Sequence, residues 1–362
     1  MTDPLFAPVG PVFSVNSAPV PSMARDCVRL EIDEGIEGLR TLRLHLFATG
    51  AGAAGPPDRM IYLDGGVVDF GKQLKVSLGP DSGQRGVFDG TISAIEAVFD
   101  DGQPPLVVLF AEDALMKLRM TRRLCSYTQV SDADIARQIA AKHGLQADVD
   151  VEGPVHDVVQ QLNQSDLAFL RERARLVQAE LWCDGRTLCM RSRPRRKGTK
   201  LTLVQGNQLL SVRLCADLAH QRSKVHVTGY DASAKDVIDR HVGSEVIAGE
   251  ISGGGHSGPE VVDLALGGST TLRVRESPLD TAQADAWAKA EMLRRSRRFV
   301  SVVGTTRGTP DLVVGSQLTL QGVGGPFEGE GYYVTRVCHT VDLVRGLRTR
   351  FEAERSSVNK AR

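Results

Sequence analysis

Apolar and polar positions alternate along most of this chain in short runs, and the period changes near Thr121 and again near Lys200. Val28, Leu30 and Ile32 alternate with Arg29 and Glu31, and Leu42, Leu44 and Leu46 repeat the pattern. Leu74, Val76 and Leu78 face one way within Gly71–Gly79, and apolar-rich runs follow over 87–99 and 105–113. A period of two predicts half-buried strands. Residues 1–24, rich in Pro, Val and Ala, read as an arm or an edge strand and not as a helix, because proline removes a backbone donor. The last third, 300–355, predicts further strands, with glycine clusters between apolar positions such as Val313, Leu318, Tyr333, Val337 and Phe351.

From Thr121 the spacing is helical. Ser131 stands three residues before Asp134, Ile135 and Ile139 lie one turn apart, and Gly144 follows His143, which predicts a capped helix with a glycine stop. His143 reads as a polar cap or a favourable charge at the helix C-terminus. Ser165 caps a second helix with Leu167, Leu170 and Ala174 on one face, and Asp166 and Arg173 read as a surface ion pair on it. Asp184-Gly185 predicts a hairpin that can set Cys183 opposite Cys189. The basic run Arg191–Lys200 reads as a solvated linker. Strand patterns return at 201–204, 209–214 and 224–229, where His226 reads as a sheet-face residue. Residues 249–258 read as a flexible loop. Ser277, Pro278 and Asp280 predict the start of a third helix, 278–298, with an arginine-rich end.

Composition narrows the function. Lys plus Arg and Asp plus Glu number 44 each, so the net charge is zero and gives no electrostatic basis for binding nucleic acid or an anionic membrane. No apolar run reaches the roughly 20 residues that span a bilayer, and no secretory signal opens the chain. Six cysteines lie without a CxxC spacing, so reduced thiols are expected and no metal cluster is read. No HExxH, GxSxG or phosphate-loop pattern appears. No catalytic, cofactor-binding or metal-binding residue is therefore assigned, no cofactor is expected, and the chain is read as not an enzyme.

Three separated strings carry a specific resemblance. The first holds Phe88, Gly90, Ile92, Glu96 and Asp113; the second Ser165, Asp166, Phe169 and Leu170; the third Gly315, Gly322, Tyr332, Tyr333, Val334 and His339. In that order they resemble the bacteriophage late-control gene D family, the baseplate hub of contractile tails, and the hub part of type VI secretion spike proteins. Glu330-Gly331 lengthens one turn relative to the family string, and Leu347 replaces a favoured aromatic.

The resemblance implies an α+β, mainly β fold: two tail-tube-like β-barrel domains with an α/β insertion between them. The implied boundaries are an N-terminal arm at 1–24, a first barrel at 25–120, the insertion at 121–198 and a second barrel at 199–362 containing helix 278–298. It implies a structural hub, a homotrimer joining a sixfold tail tube to a threefold spike. The partners expected are the tail tube protein, a separate spike protein, and baseplate wedge and other tail-end proteins; no membrane and no specific nucleic acid are expected. The spike is expected on another polypeptide because the sequence stops at Arg362. The expected location is the tail baseplate of a phage virion or injection particle, assembled in the bacterial cytoplasm. The alternatives are a tail-associated cell-wall hydrolase and a DNA-binding regulator.

Overall fold

Alternation places one side chain in two on the buried face of a strand. In the computed structural model, which describes residues 10–49, 60–79, 83–251, 254–267, 271–273 and 277–360, the alternating leucines of the first third do this. Leu30 and Ile32 on strand Cys27–Gly35, Leu42, Leu44 and Leu46 on Thr41–Phe47, and Leu74, Val76 and Leu78 on Gln73–Leu78 are all buried. With Phe13, Met23, Tyr62, Phe88 and Leu109 they form the first core.

Residues 12–26 are bound into this core. Val12–Val15 pairs antiparallel with Gln73–Leu78, as an edge strand would. Pro21–Asp26, however, is a six-residue helix, contrary to the reading of 1–24 as helix-free. Proline costs nothing in the first helical turn, where its missing N–H would have no partner. Met23 is fully buried, and the Asp26 carboxylate accepts a 2.7 Å hydrogen bond from the Tyr62 hydroxyl. The structure describes none of residues 1–9.

The last third builds a second core from Val302, Leu312, Leu318, Tyr332, Val334 and Phe351. Its strands Val300–Arg307, Gly346–Arg355 and Gly329–Asp342 pair antiparallel in that order, with Leu209–Ala216 at the outer edge. Lys200–Val204 joins in parallel to Gln317–Gln321, which itself pairs with Gly329–Asp342. Strand Gly329–Asp342 also pairs antiparallel with Cys27–Gly35, from Arg336 opposite Gly35 to Asp342 opposite Arg29. One 13-stranded sheet thus runs through both halves. The chain is mainly β with an α+β composition, as expected, and no pairing among the described strands closes the sheet into a ring.

The middle of the chain forms its own core from Leu115, Tyr127, Ile135, Ile139, Phe169, Leu170, Leu181 and Met190. It is built twice over from strand, helix and strand. Arg122–Ser131 leads into helix Asp132–Lys142 and then Gln146–Asp150; Val155–Ser165 leads into helix Asp166–Leu176 and then Ala179–Asp184. Each helix opens on Ser-Asp with the serine as cap: Ser131 accepts from Asp134 N and Ser165 from Ala168 N. The two leading strands pair antiparallel, which turns the two units head to tail. The predicted hairpin is present, but Cys183 sits opposite Leu188 and Cys189 opposite Trp182, so the two thiols are offset. All six cysteines are free.

The third helix starts at Thr281, later than predicted, because Asp280 is itself the cap and accepts from Gln283 N. It runs to Arg297 and packs Ala284, Ala288 and Met292 against Val225, Val227 and Ile238 of the hairpin Lys224–Asp231 and Asp236–Val242. Part of the expected 249–258 loop instead leads into helix Gly258–Leu266, capped by Ser257 and Glu260 in a reciprocal box.

Candidate functional site at the junction of the cores

The three largest cores meet at a buried cluster of charges. Strand Cys27–Gly35 brings in Glu34, the next strand's approach brings Arg40, and strand Ala179–Asp184 brings Glu180 and Trp182. The short turn Arg193–Arg195 sets Arg193 and Arg196 over them. The terminal strands supply Tyr333 and Glu354. Arg196 donates to Glu34 at 2.9 Å and to Glu180 at 3.2 Å, and its guanidinium stacks 4.2 Å above the Trp182 ring. Arg40 holds the other Glu34 oxygen at 2.6 Å. The Tyr333 hydroxyl donates to Glu180 at 2.7 Å, while Arg193 covers the Tyr333 ring at 4.2 Å and pairs with Glu354.

Such charges stay ionised out of water only when each has a partner. Burial pulls the Arg193 pKa down, but Glu354 and Glu180 outweigh it and hold the group above its ordinary value. Burial, reinforced by the Glu180 carboxylate, pushes the Tyr333 phenol far above its ordinary value, so its proton stays on as a donor. Nearby, Asp113 accepts from the backbone N–H groups of Arg40 at 2.8 Å and Leu115 at 2.9 Å; its burial outweighs these bonds and raises its pKa to about 6. Backbone bonds seal the same seam: Leu181 N donates to Ile36 O, and Arg171 donates to the carbonyls of Glu37 and Gly38.

The basic run is therefore not a solvated linker. Arg191 pairs with Asp148, Arg195 with Asp150 and Glu152, and Arg193 and Arg196 enter the buried cluster. Their partners come from Glu34 to Glu354, scattered over the whole chain, and no local pattern could reveal them.

A second buried network replaces the expected surface ion pair. Asp166, fully buried, accepts from Gln161 at 2.9 Å and Arg123 at 2.9 Å, and lies 2.7 Å from His143 Nε2. Arg173 does not meet Asp166; it pairs with the buried Asp132 and lies 2.8 Å from His156 Nε2. Each Ser-Asp helix start thus buries its aspartate against one histidine and one arginine from the other half of the duplicated unit. His143 is more than a helix cap: it links the end of one helix to the start of the other. Burial works against the Asp166 charge, but the Gln161, His143 and Arg123 hydrogen bonds together hold its pKa below the usual range. The junction network ties strands of the three cores together, and the second ties the two helices of the duplicated unit together.

Most of the remaining motif residues serve packing. Phe88 lies in the first core. Gly90 lets the neighbouring strand close in: a Cβ there would stand 2.4 Å from Glu112 O. Glu96 is exposed on the outer half of its strand. Phe169 stacks on Tyr127 at 5.7 Å, and Leu170 is fully buried beside it. Gly315 adopts φ +91°, a conformation that favours glycine, and its N–H donates to Val334 O. Gly322 ends strand Gln317–Gln321. Tyr332 is buried and donates to Phe327 O at 2.7 Å, and Val334 N donates to Ser316 O. His339 is buried with Nδ1 3.0 Å from Thr349 Oγ1; burial, with Arg40 and Arg85 nearby, lowers its pKa to about 4. A cleft of about 220 Å³ lies between His339, Arg40, Arg196, Trp182 and Val313. Asp113, Tyr333 and His339 thus gather near the junction, Asp166 enters the second network while Ser165, Phe169 and Leu170 cap and pack its helix, and the rest are dispersed.

A family model described as the Alg8 N-terminal domain matches residues 64–342. The chain belongs to that family. This Alg8 N-terminal domain match is not to the late-control gene D family that the sequence strings resemble; the likeness to tail proteins lies in the fold. The chain is similar to the 43 kDa tail protein of prophage MuSo2 from Shewanella oneidensis, with a TM-score of 0.67, 14% identity and coverage of 96% of this chain and 98% of that one. It is similar to a tail protein of Neisseria meningitidis (TM-score 0.65, 13% identity, coverage 95% and 96%). A third similar structure is an Escherichia coli component of the type VI secretion system, itself described as structurally similar to bacteriophage T4 tail proteins (TM-score 0.59, 13% identity, coverage 96% and 79%). No curated protein matches. The chain therefore has the fold of tail proteins. No helix among the described residues is long and apolar enough to cross a membrane.

Proposed function

We propose that this chain is a structural component of a contractile tail or injection particle, and specifically its baseplate hub. The observation that carries the reading is the end-to-end likeness to a prophage tail protein, over 96% of this chain and 98% of that one. The likeness spans both cores and the middle unit, so it supports a shared overall architecture. The mutually paired junction charges support a structural role for them.

In this reading residues 25–120 and 199–362 are two tube-like domains, 121–198 is the insertion and 1–24 is an arm. Three copies form a ring presenting six similar domains, which mates a sixfold tail tube to a threefold spike. The partners are the tube protein, the spike, and the wedge and other tail-end proteins, in a virion or injection particle assembled in the bacterial cytoplasm. The motif residues hold the fold and carry no chemistry. Deleting the gene should leave tubes without baseplates, restored by the intact gene, and the purified chain should not cleave peptidoglycan. Normal tails from the deletion strain, or hydrolysis abolished by a point substitution, would overturn the reading.

A further inference from the structure

We propose that the hairpin Lys224–Asp231 and Asp236–Val242 carries a site for a zinc-class divalent cation, formed by His226, Asp239 and His241. The strand register puts His226 directly opposite His241, and Asp239 opposite Thr228, so alternation sends all three side chains to one face. The other face carries Val225, Val227 and Ile238 into the core against helix Thr281–Arg297. Arg240, between the two ligands of its strand, turns to that helix and pairs with Asp285. Arg240 is thereby drawn to the helix face, and on the other face Asp239 lies beside both imidazoles.

Both rings aim Nε2 at the same Asp239 oxygen: His226 hydrogen-bonds it and His241 stands at 3.4 Å. The rings stack with centroids 4.1 Å apart and 19° between planes. One ligand atom from each of the three residues falls within 4.8 Å of the others. Tetrahedral coordination with bonds of about 2.0–2.1 Å places neighbouring ligand atoms about 3.3 Å apart. The His241 to Asp239 separation already has that value, and the partly exposed His226 can turn outward to admit the ion. Two imidazoles and one carboxylate suit zinc, nickel or copper, whereas calcium and magnesium prefer oxygen alone. The outward face leaves the remaining coordination position to water. A bound ion would lock the register of the two strands.

The test is isothermal titration of the tag-free, full-length chain with zinc, repeated with calcium. We expect one equivalent of zinc, no calcium uptake and a zinc-dependent rise in melting temperature. His226→Ala and His241→Ala should each weaken zinc at least about 100-fold and abolish the rise, since loss of even an outer supporting group costs about 10- to 100-fold. His220→Ala, at an exposed histidine outside the hairpin, should leave binding unchanged. Absence of saturable zinc binding, or binding that survives both hairpin variants, would overturn the proposal.

Discussion

Arg196→Met removes the cation that binds the first sheet half to the middle unit, while keeping the unbranched apolar stem of the side chain. Two carboxylates, Glu34 and Glu180, lose a partner in a site where Arg196 is 8% exposed. Removing one partner of a buried pair costs about 3–5 kcal/mol, mostly by stranding the other charge. Here Glu34 keeps Arg40 and Glu180 keeps the Tyr333 hydroxyl, which favours the low end. Loss of the stack on Trp182 adds about 1 kcal/mol, part of which the methionine retains. The expected destabilisation is about 3 kcal/mol, read from urea unfolding followed by tryptophan fluorescence, since Trp182 lies under the missing guanidinium. Glu180→Gln on the same background should recover part of the loss, giving a coupling of about 1–3 kcal/mol in the double-mutant cycle. A loss below about 1 kcal/mol, or strictly additive effects, would mean that the junction charges do not fasten the cores.

Two further changes probe the same architecture. The depressed His339 pKa means that burial favours the neutral ring, so its contribution to stability is present above the ordinary value of 6.5 and is lost as pH falls to about 4. Across that window wild type should lose about 3 kcal/mol relative to His339→Gln, measured as the difference between their unfolding free energies at pH 7 and pH 4; a constant difference would refute it. Gly90→Ala should destabilise by about 1–3 kcal/mol, because the added methyl meets the Glu112 carbonyl and the Phe88 ring; urea midpoints that coincide with wild type would contradict the close approach seen there.

The fold was most legible where periodicity and burial coincide. Leu30, Leu42 and Leu74 point inward as their alternation requires, and Ser131 and Ser165 cap helices as their spacing predicts. The helix capped by Ser257 and Glu260 had the same signature, hidden among glycines that suggested a loop. Helix Pro21–Asp26 was misread because proline was taken as a breaker at the one place where a helix accepts it. The junction was not legible for a different reason. Arg193 and Arg196 look like surface cations until Glu34, Glu180 and Glu354 are brought to them by pairings hundreds of residues apart in places, such as Arg336 opposite Gly35. Likewise Asp166 and Arg173 lie on one helix, and only the antiparallel pairing of the duplicated unit shows that each meets partners from the other half and not each other. Tyr333, Asp113 and His339 were singled out by their strings, but their common location emerged only from the strand order.

A hub between a sixfold tube and a threefold spike must reconcile the two symmetries. The number and symmetry of copies of this chain in a cryo-electron microscopy map of the assembled tail end decide whether it does so. Three copies are expected, in a ring that presents six similar sheet-based domains to the tube. Six copies, or one, would contradict it.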